Sequence, residues 1–216
     1  MSKNKKESFF WTSYSDLMTS LFFVMLVLFV LTVVLLHKKL EEVQEIELAT
    51  RIELDQIKQL NKSIENIDPT YFSYNERFKR HTLKDIQVSF EKGSSNIMNI
   101  PDAEQKKLIQ AGIAIQKFIK ETVMDIPDAK YILIVEGQSS KDFYTKNYEL
   151  SYERALSLVR LWTRNGVNFD ETCEVIISGS GQYSSFRLQP DDKDNKNNQR
   201  FVIHILPKPG VLNQNK

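Results

Sequence analysis

DLMTSLFFVMLVLFVLTVVLL, residues 16–36, decides the architecture of this 216-residue chain. From Leu17 to Leu36 there is no charge, Gly or Pro. About 20 residues at about 1.5 Å each reach about 30 Å, the thickness of a bilayer core. The stretch therefore reads as a membrane-spanning helix over 9–37. A cleavable secretory signal needs small residues at its processing site, whereas the first Ala here is Ala49 and the first Gly is Gly93. Lys3, Lys5 and Lys6 precede the span against Glu7 alone, which favours a cytoplasmic N-terminus over 1–8 and places residues 40–216 outside the inner membrane. His37, Lys38 and Lys39 pull the other way, and Glu41, Glu42 and Glu45 follow them directly.

At the mouth of the span sits one carboxylate, Asp16. Desolvating a carboxylate in lipid costs roughly 3 kcal/mol on insertion scales unless a proton, a cation or a partner compensates, so an acid there is a functional-site candidate. Ser13, Asp16, Thr19, Ser20 and Phe23 share one helical face, which reads as a hydroxyl-lined stripe turned toward a partner.

Composition excludes several other functions. Lys+Arg 29 against Asp+Glu 28 leaves a net charge of +1, with no basic-aromatic stripe, so nucleic acid is not an expected partner. A single Cys173 and three scattered histidines, His37, His81 and His204, offer no intrachain disulfide and no metal-ligand spacing. Cys173 reads as a core thiol. Gly179-Ser180-Gly181 is too short for a dinucleotide fingerprint, and no nucleophile elbow is present. No enzymatic chemistry and no bound cofactor are expected.

Residues 40–67 contain no Gly or Pro and stop at Asp68-Pro69, so the helix is expected to continue over 38–68. Val43, Ile46, Ile57, Leu60, Ile64 and Ile67 fall on a heptad seam interrupted by Thr50 and Glu53, the pattern of a parallel homodimer; a single amphipathic helix resting on another surface is the alternative. Residues 69–84, with Tyr71, Phe72, Tyr74 and Phe78, read as a linker. Beyond them, the periods alternate. Ile86, Val88 and Phe90 suggest a strand, and Leu108, Ala111, Ile115, Phe118 and Thr122 lie on one helical face. Tyr131–Val135, Val175–Ser178 and Phe201–Leu206 read as strands, and Tyr148–Arg164 reads as a helix. The fold class is α+β: one transmembrane helix, a helical linker, then a βαβαβ domain over 85–207 with helices over one sheet face. Residues 208–216 read as a flexible tail.

The outer domain resembles the OmpA-like peptidoglycan-binding family in three stretches: Glu136-Gly137-Gln138-Ser139-Ser140, Asn147 to Ala155 with its Asn-x-x-Leu-Ser-x-x-Arg-Ala spacing, and Asn198-Gln199-Arg200. The resemblance implies a peptidoglycan site at Ser140, Asp142, Asn147, Leu150, Arg154, Asn198 and Arg200. The planar fork of Arg154 suits bidentate capture of a stem-peptide carboxylate. No acid stands three or four residues from it on its own helix. Where the family carries an acid for the diaminopimelate amine this chain has Ser140, and Asp142, two residues on, is the candidate substitute.

The span has its own resemblance. Trp11-x-x-Tyr14-x-Asp16-Leu17-Met18-Thr19 looks like the signature of the MotB stator family, in which the acid carries the ion; a short N-terminus and connector turn the comparison toward the ZorB family of Zorya anti-phage systems. The resemblance implies Asp16 as carrier of a translocated proton or sodium ion, supported by Trp11, Ser13, Tyr14, Thr19 and Ser20. It also implies a MotA/ZorA-like polytopic ring as partner. A flagellar stator subunit, a passive wall tether and an ExbD-like energy-transducing subunit are the alternatives.

Overall fold

The computed structural model describes residues 3–126, 129–142, 144–192 and 196–208, with side chains of the first helix from Trp11 onward. The chain divides into two compact units, Met1–Asp55 and Gln56–Lys216. In the first, the uninterrupted apolar run and the lack of Gly and Pro produce one helix, α1, Lys3–Glu65, which continues into the second unit. From Trp11 it is long and apolar enough to cross a membrane. Its apolar side chains, Leu17 to Leu36 among them, are exposed, as the lipid-facing surface of such a helix must be.

The second unit is an α+β domain. Strands β1 (Phe72–Asn75) and β2 (Arg80–Leu83) form a hairpin, followed by α2 (Asp102–Asp125), β3 (Tyr131–Gln138), α3 (Asn147–Arg164), β4 (Cys173–Gly181) and β5 (Phe201–Pro207). The sheet order is β1-β2-β5-β3-β4. β3 and β4 run parallel across the α3 crossover, and β5 is antiparallel to β3. Tyr131, Leu133 and Val135 on one face of β3 are wholly buried, together with Leu108, Ala111 and Ile115 of α2 and Ala155 and Leu158 of α3. The helices thus cover one sheet face, as the alternation of β3 and the 3.6 period of α2 and α3 require. Trp162 locks α3 to α2: its indole N–H donates to the Leu108 carbonyl at 2.7 Å, and its ring fills the space a side chain at Gly112 would need. Cys173 is buried and free as expected, with its thiol pushed up to about 12 by burial.

Three expectations differ from the structure. The segment 69–84 is not a bare linker, since β1 and β2 lie in it; the turn between them closes through Lys79 at φ 53°. The segment expected as a strand over 86–90 alternates in burial, but it pairs with no ladder. Asp85, at φ 53°, takes the chain out of β2 before Ile86 is reached. Finally, the C-terminal part of the heptad seam is not free for a dimer. Leu60, Ile64 and Ile67 are buried in the domain's own core, while Val43 and Ile46 stay exposed. Of the tail expected over 208–216, only Lys208 is described.

Candidate functional site

The site grows from the way α3 is set down on the sheet. A Cβ at Gly137 would lie 2.0 Å from the Ser151 carbonyl oxygen, and one at Gly179 2.4 Å from the Tyr152 amide nitrogen. Only glycine lets the first two turns of α3 approach β3 and β4 so closely. The Ser151 hydroxyl pins the contact by accepting the Gly181 amide at 2.9 Å. At the end of β3, the chain turns through Ser139, Ser140 and Asp142 back to the start of α3. Helical spacing then lines Asn147, Leu150 and Arg154 along one face above that turn.

These residues surround a cleft of about 500 Å³, which Ser140, Asp142, Asn147, Leu150 and Arg154 line together with Gln199. Arg154 is 2% exposed. Its Nε donates to the Ser94 carbonyl at 3.0 Å, and its guanidinium lies 4.5 Å from the Phe90 ring centroid. Burial lowers its pKa to about 10 and the Asp142 carboxylate acts against that, so it remains a cation at neutral pH. Asp142 is held as an Asx turn, its Oδ1 accepting the Tyr144 amide at 2.9 Å and the Asn147 side-chain amide at 2.7 Å. Asn147 also donates to the Tyr144 carbonyl at 2.9 Å. Its own Oδ1 and the Ser139 hydroxyl are buried at the cleft without a hydrogen bond among the described residues. Ser140, at the expected position of an acid, accepts the Gln199 side-chain amide at 3.1 Å. Besides the exposed Glu91, Lys92 and Lys196, which also line it, the cleft offers one buried cation, Arg154, and one carboxylate held by hydrogen bonds, Asp142, which suits a ligand end carrying both a carboxylate and an ammonium.

Two expected binding residues do not line the cleft. Asn198 is wholly buried and clamps the loop before it, accepting the Leu188 amide at 2.8 Å and donating to the Leu188 carbonyl at 3.1 Å. Arg200 donates to Gln138 at 3.0 Å and to the Phe186 carbonyl at 2.7 Å, with its guanidinium 4.7 Å from the Phe186 ring centroid. Gln199 between them reaches the cleft; Lys196–Asn198 form a 3-10 turn and Gln199 follows it before β5 begins, so the alternation of a strand does not sort these side chains. Phe90, Lys92, Ser139, Tyr144 and Lys196 also line it and carry no signature in sequence.

In the span, the Thr19 hydroxyl donates to the Ser15 carbonyl at 2.6 Å and that of Ser20 to the Leu17 carbonyl at 2.9 Å. Both protons are spent on the helix's own backbone. Trp11 and Tyr14 meet edge to face, with centroids 6.3 Å apart.

No protein-family model and no curated protein matches the chain. Solved structures do match. The OmpA-like domain of FopA1 from Francisella tularensis subsp. tularensis SCHU S4 is 17% identical, over 63% of this chain and 79% of that one, at a TM-score of 0.39. The periplasmic domain of Helicobacter pylori MotB is 15% identical, over 63% and 88%, at 0.43. The peptidoglycan-associated lipoprotein from Burkholderia pseudomallei is 16% identical, over 56% and 88%, at 0.37.

Proposed function

We propose that this protein is a peptidoglycan-anchored stator subunit of an ion-driven motor complex in the inner membrane. In this reading α1 spans the membrane with its N-terminus in the cytoplasm, and the α+β domain grips the cell wall. The observation that carries it is the cleft in which the Arg154 guanidinium and the Asp142 carboxylate line one volume. A diaminopimelate stem end presents a carboxylate and an ammonium on one carbon. Arg154 takes the first and Asp142, standing in for the acid that Ser140 replaces, takes the second.

The motor half of the reading rests on Asp16 in the only described helix apolar enough to span. A proton or sodium ion reaching that carboxylate neutralises it and frees it to exchange contacts. One elementary charge crossing about 100 mV supplies about 2.3 kcal/mol, enough to bias a conformational step of a few kcal/mol. One span per chain encloses no gated path, so the function calls for a polytopic MotA/ZorA-like ring around a dimer of this chain. The Trp11 to Thr19 run resembles the ZorB family most, which makes anti-phage defence of the Zorya type the first assignment and the flagellar motor the second.

The test is sedimentation of the detergent-solubilised full chain with insoluble peptidoglycan. Wild type is expected in the pellet and Arg154→Ala in the supernatant. A wild-type protein that never pellets would remove the wall-binding role.

A further inference from the structure

The cleft does not end at Gln199. A second cavity of about 520 Å³ adjoins it, sharing Ser89, Lys196 and Gln199 with the first. Residues 86–89 form one wall, and residues 199–201 belong to the other. The 86–90 wall has the burial pattern of a strand, with Ile86 and Val88 half-buried, Gln87 and Ser89 exposed and Phe90 buried. Among the described residues, however, no backbone-to-backbone hydrogen bond joins it to a neighbouring strand. It is tethered by side chains instead: the Gln87 amide donates to Glu104 at 3.0 Å and the Phe90 amide to Gln199 at 3.3 Å. The Val88 amide between these tethers makes no hydrogen bond among the described residues. A segment of alternating burial with unpaired backbone beside a cavity is a place where an extended peptide can pair along it, as in strand addition.

We propose that the two cavities form one trough for a cross-linked pair of stem peptides. The free carboxylate and ammonium of the donor stem sit at Arg154 and Asp142, and the chain beyond the cross-link lies extended along residues 86–89. This rests on the peptidoglycan reading above and adds a preference for cross-linked wall. Either cavity alone has the size of a site for one small ligand, about 300–1,000 Å³. The pair, joined at Gln199, is more than a single stem end fills. Because both halves of a cross-link are tethered, the second contact adds to the first at a high effective concentration.

The test uses the full chain in detergent and two glycan-free probes: a stem tetrapeptide containing diaminopimelate, and the dimer of that peptide cross-linked from D-alanine to diaminopimelate. The dimer is expected to bind about tenfold tighter or more. Gln87→Trp fills the second cavity from an exposed position, and Val88→Pro removes the unpaired amide without breaking an internal bond. Either change is expected to bring the dimer down to the affinity of the monomer and leave the monomer unchanged, which also shows that the fold is intact. Arg154→Ala weakens both probes. Equal wild-type affinities for the two probes would overturn the trough, as would a dimer advantage that survives both variants. Failure of wild type to bind either probe would instead bring down the cleft reading, and the trough with it.

Discussion

The side-chain amide of Asn147 donates to Oδ1 of Asp142 across 2.7 Å, and the same oxygen accepts the Tyr144 amide at 2.9 Å. One carboxylate oxygen is thereby fixed from two directions, while Oδ2 has no hydrogen bond among the described residues. Asp142 lies two residues beyond the place where the OmpA-like pattern carries its acid, and Asn147 is what makes the displaced carboxylate a rigid part of the cleft.

Binding of a diaminopimelate-containing tetrapeptide should register this. Arg154→Ala removes a charge-assisted contact worth about 1.5–3 kcal/mol, a ten- to hundredfold loss of affinity. Asp142→Ala is expected to cost less. Asn147→Ala should cost about as much as Asp142→Ala, and the double variant little more than either single one, because Asn147 acts through Asp142. Calorimetry on the three variants checks it, and additive losses would show that Asn147 touches the ligand independently.

A second expectation concerns acid sensitivity. His81 is 1% exposed, packed against Phe72 and Tyr74, and neither ring nitrogen has a hydrogen bond. Burial lowers its pKa from 6.5 to about 4; the backbone of Ile64 acts in the opposite sense without a hydrogen bond of ordinary geometry. The unfolded chain binds this proton first, so the stabilisation is complete above about pH 6.5 and is lost as pH falls toward about 4. The loss approaches about 3 kcal/mol across that window. Glu136 adds a lower one. Burial raises its pKa, but hydrogen bonds from His204 and Gln138 outweigh burial and hold it at about 2, so its share is lost from about pH 4.5 down to 2. Urea midpoints between pH 7 and 4.5 should fall for wild type and stay nearly flat for His81→Phe.

The sequence made some of this visible and hid the rest for definite reasons. Asn147, Leu150 and Arg154 were readable because three- and four-residue spacing fixes a helical face before any tertiary contact forms. Asn198 and Arg200 belong to the same motif class, yet their side chains turn to Leu188 and Gln138, because a 3-10 turn over Lys196–Asn198 sets the chain's course there and only the fold shows that Gln199 meets the cleft. The β1–β2 hairpin was hidden because its turn and its end depend on Lys79 and Asp85 taking left-handed backbone, a conformation neither residue type advertises. The heptad seam shows the opposite failure. A three-four repeat says that Leu60, Ile64 and Ile67 are buried, and says nothing about which surface buries them.

That seam leads to a third expectation. Leu60, Ile64 and Ile67 are 1%, 4% and 3% exposed within the domain core. At about 1.5–3 kcal/mol for each buried aliphatic side chain, removing all three costs about as much as a whole domain's stability. A fragment beginning at Gln56 should unfold cooperatively, whereas one beginning at Thr70 should be poorly folded or melt far lower. Thermal unfolding followed by circular dichroism decides it. Comparable melting of the two fragments would mean that the end of α1 is a passenger. Dimer contacts, correspondingly, should be sought upstream: cysteines placed at Val43 or Ile46, which are 60% and 66% exposed, should crosslink in membranes more readily than one at Ile64.

The last expectation returns to the span. Thr19 and Ser20 give their hydroxyl protons to the Ser15 and Leu17 carbonyls, so neither hydroxyl donates to Asp16. Asn has nearly the shape of Asp but neither binds and releases a proton nor carries the charge that holds a cation. Asp16→Asn should therefore leave insertion, abundance and partner assembly at wild-type levels while phage protection, or motility at a flagellar locus, is abolished. Copurification with the polytopic partner, run beside the functional assay, separates loss of ion coupling from loss of assembly. A variant that assembles and still protects at normal abundance would make Asp16 an interfacial residue reaching water and the protein a passive tether.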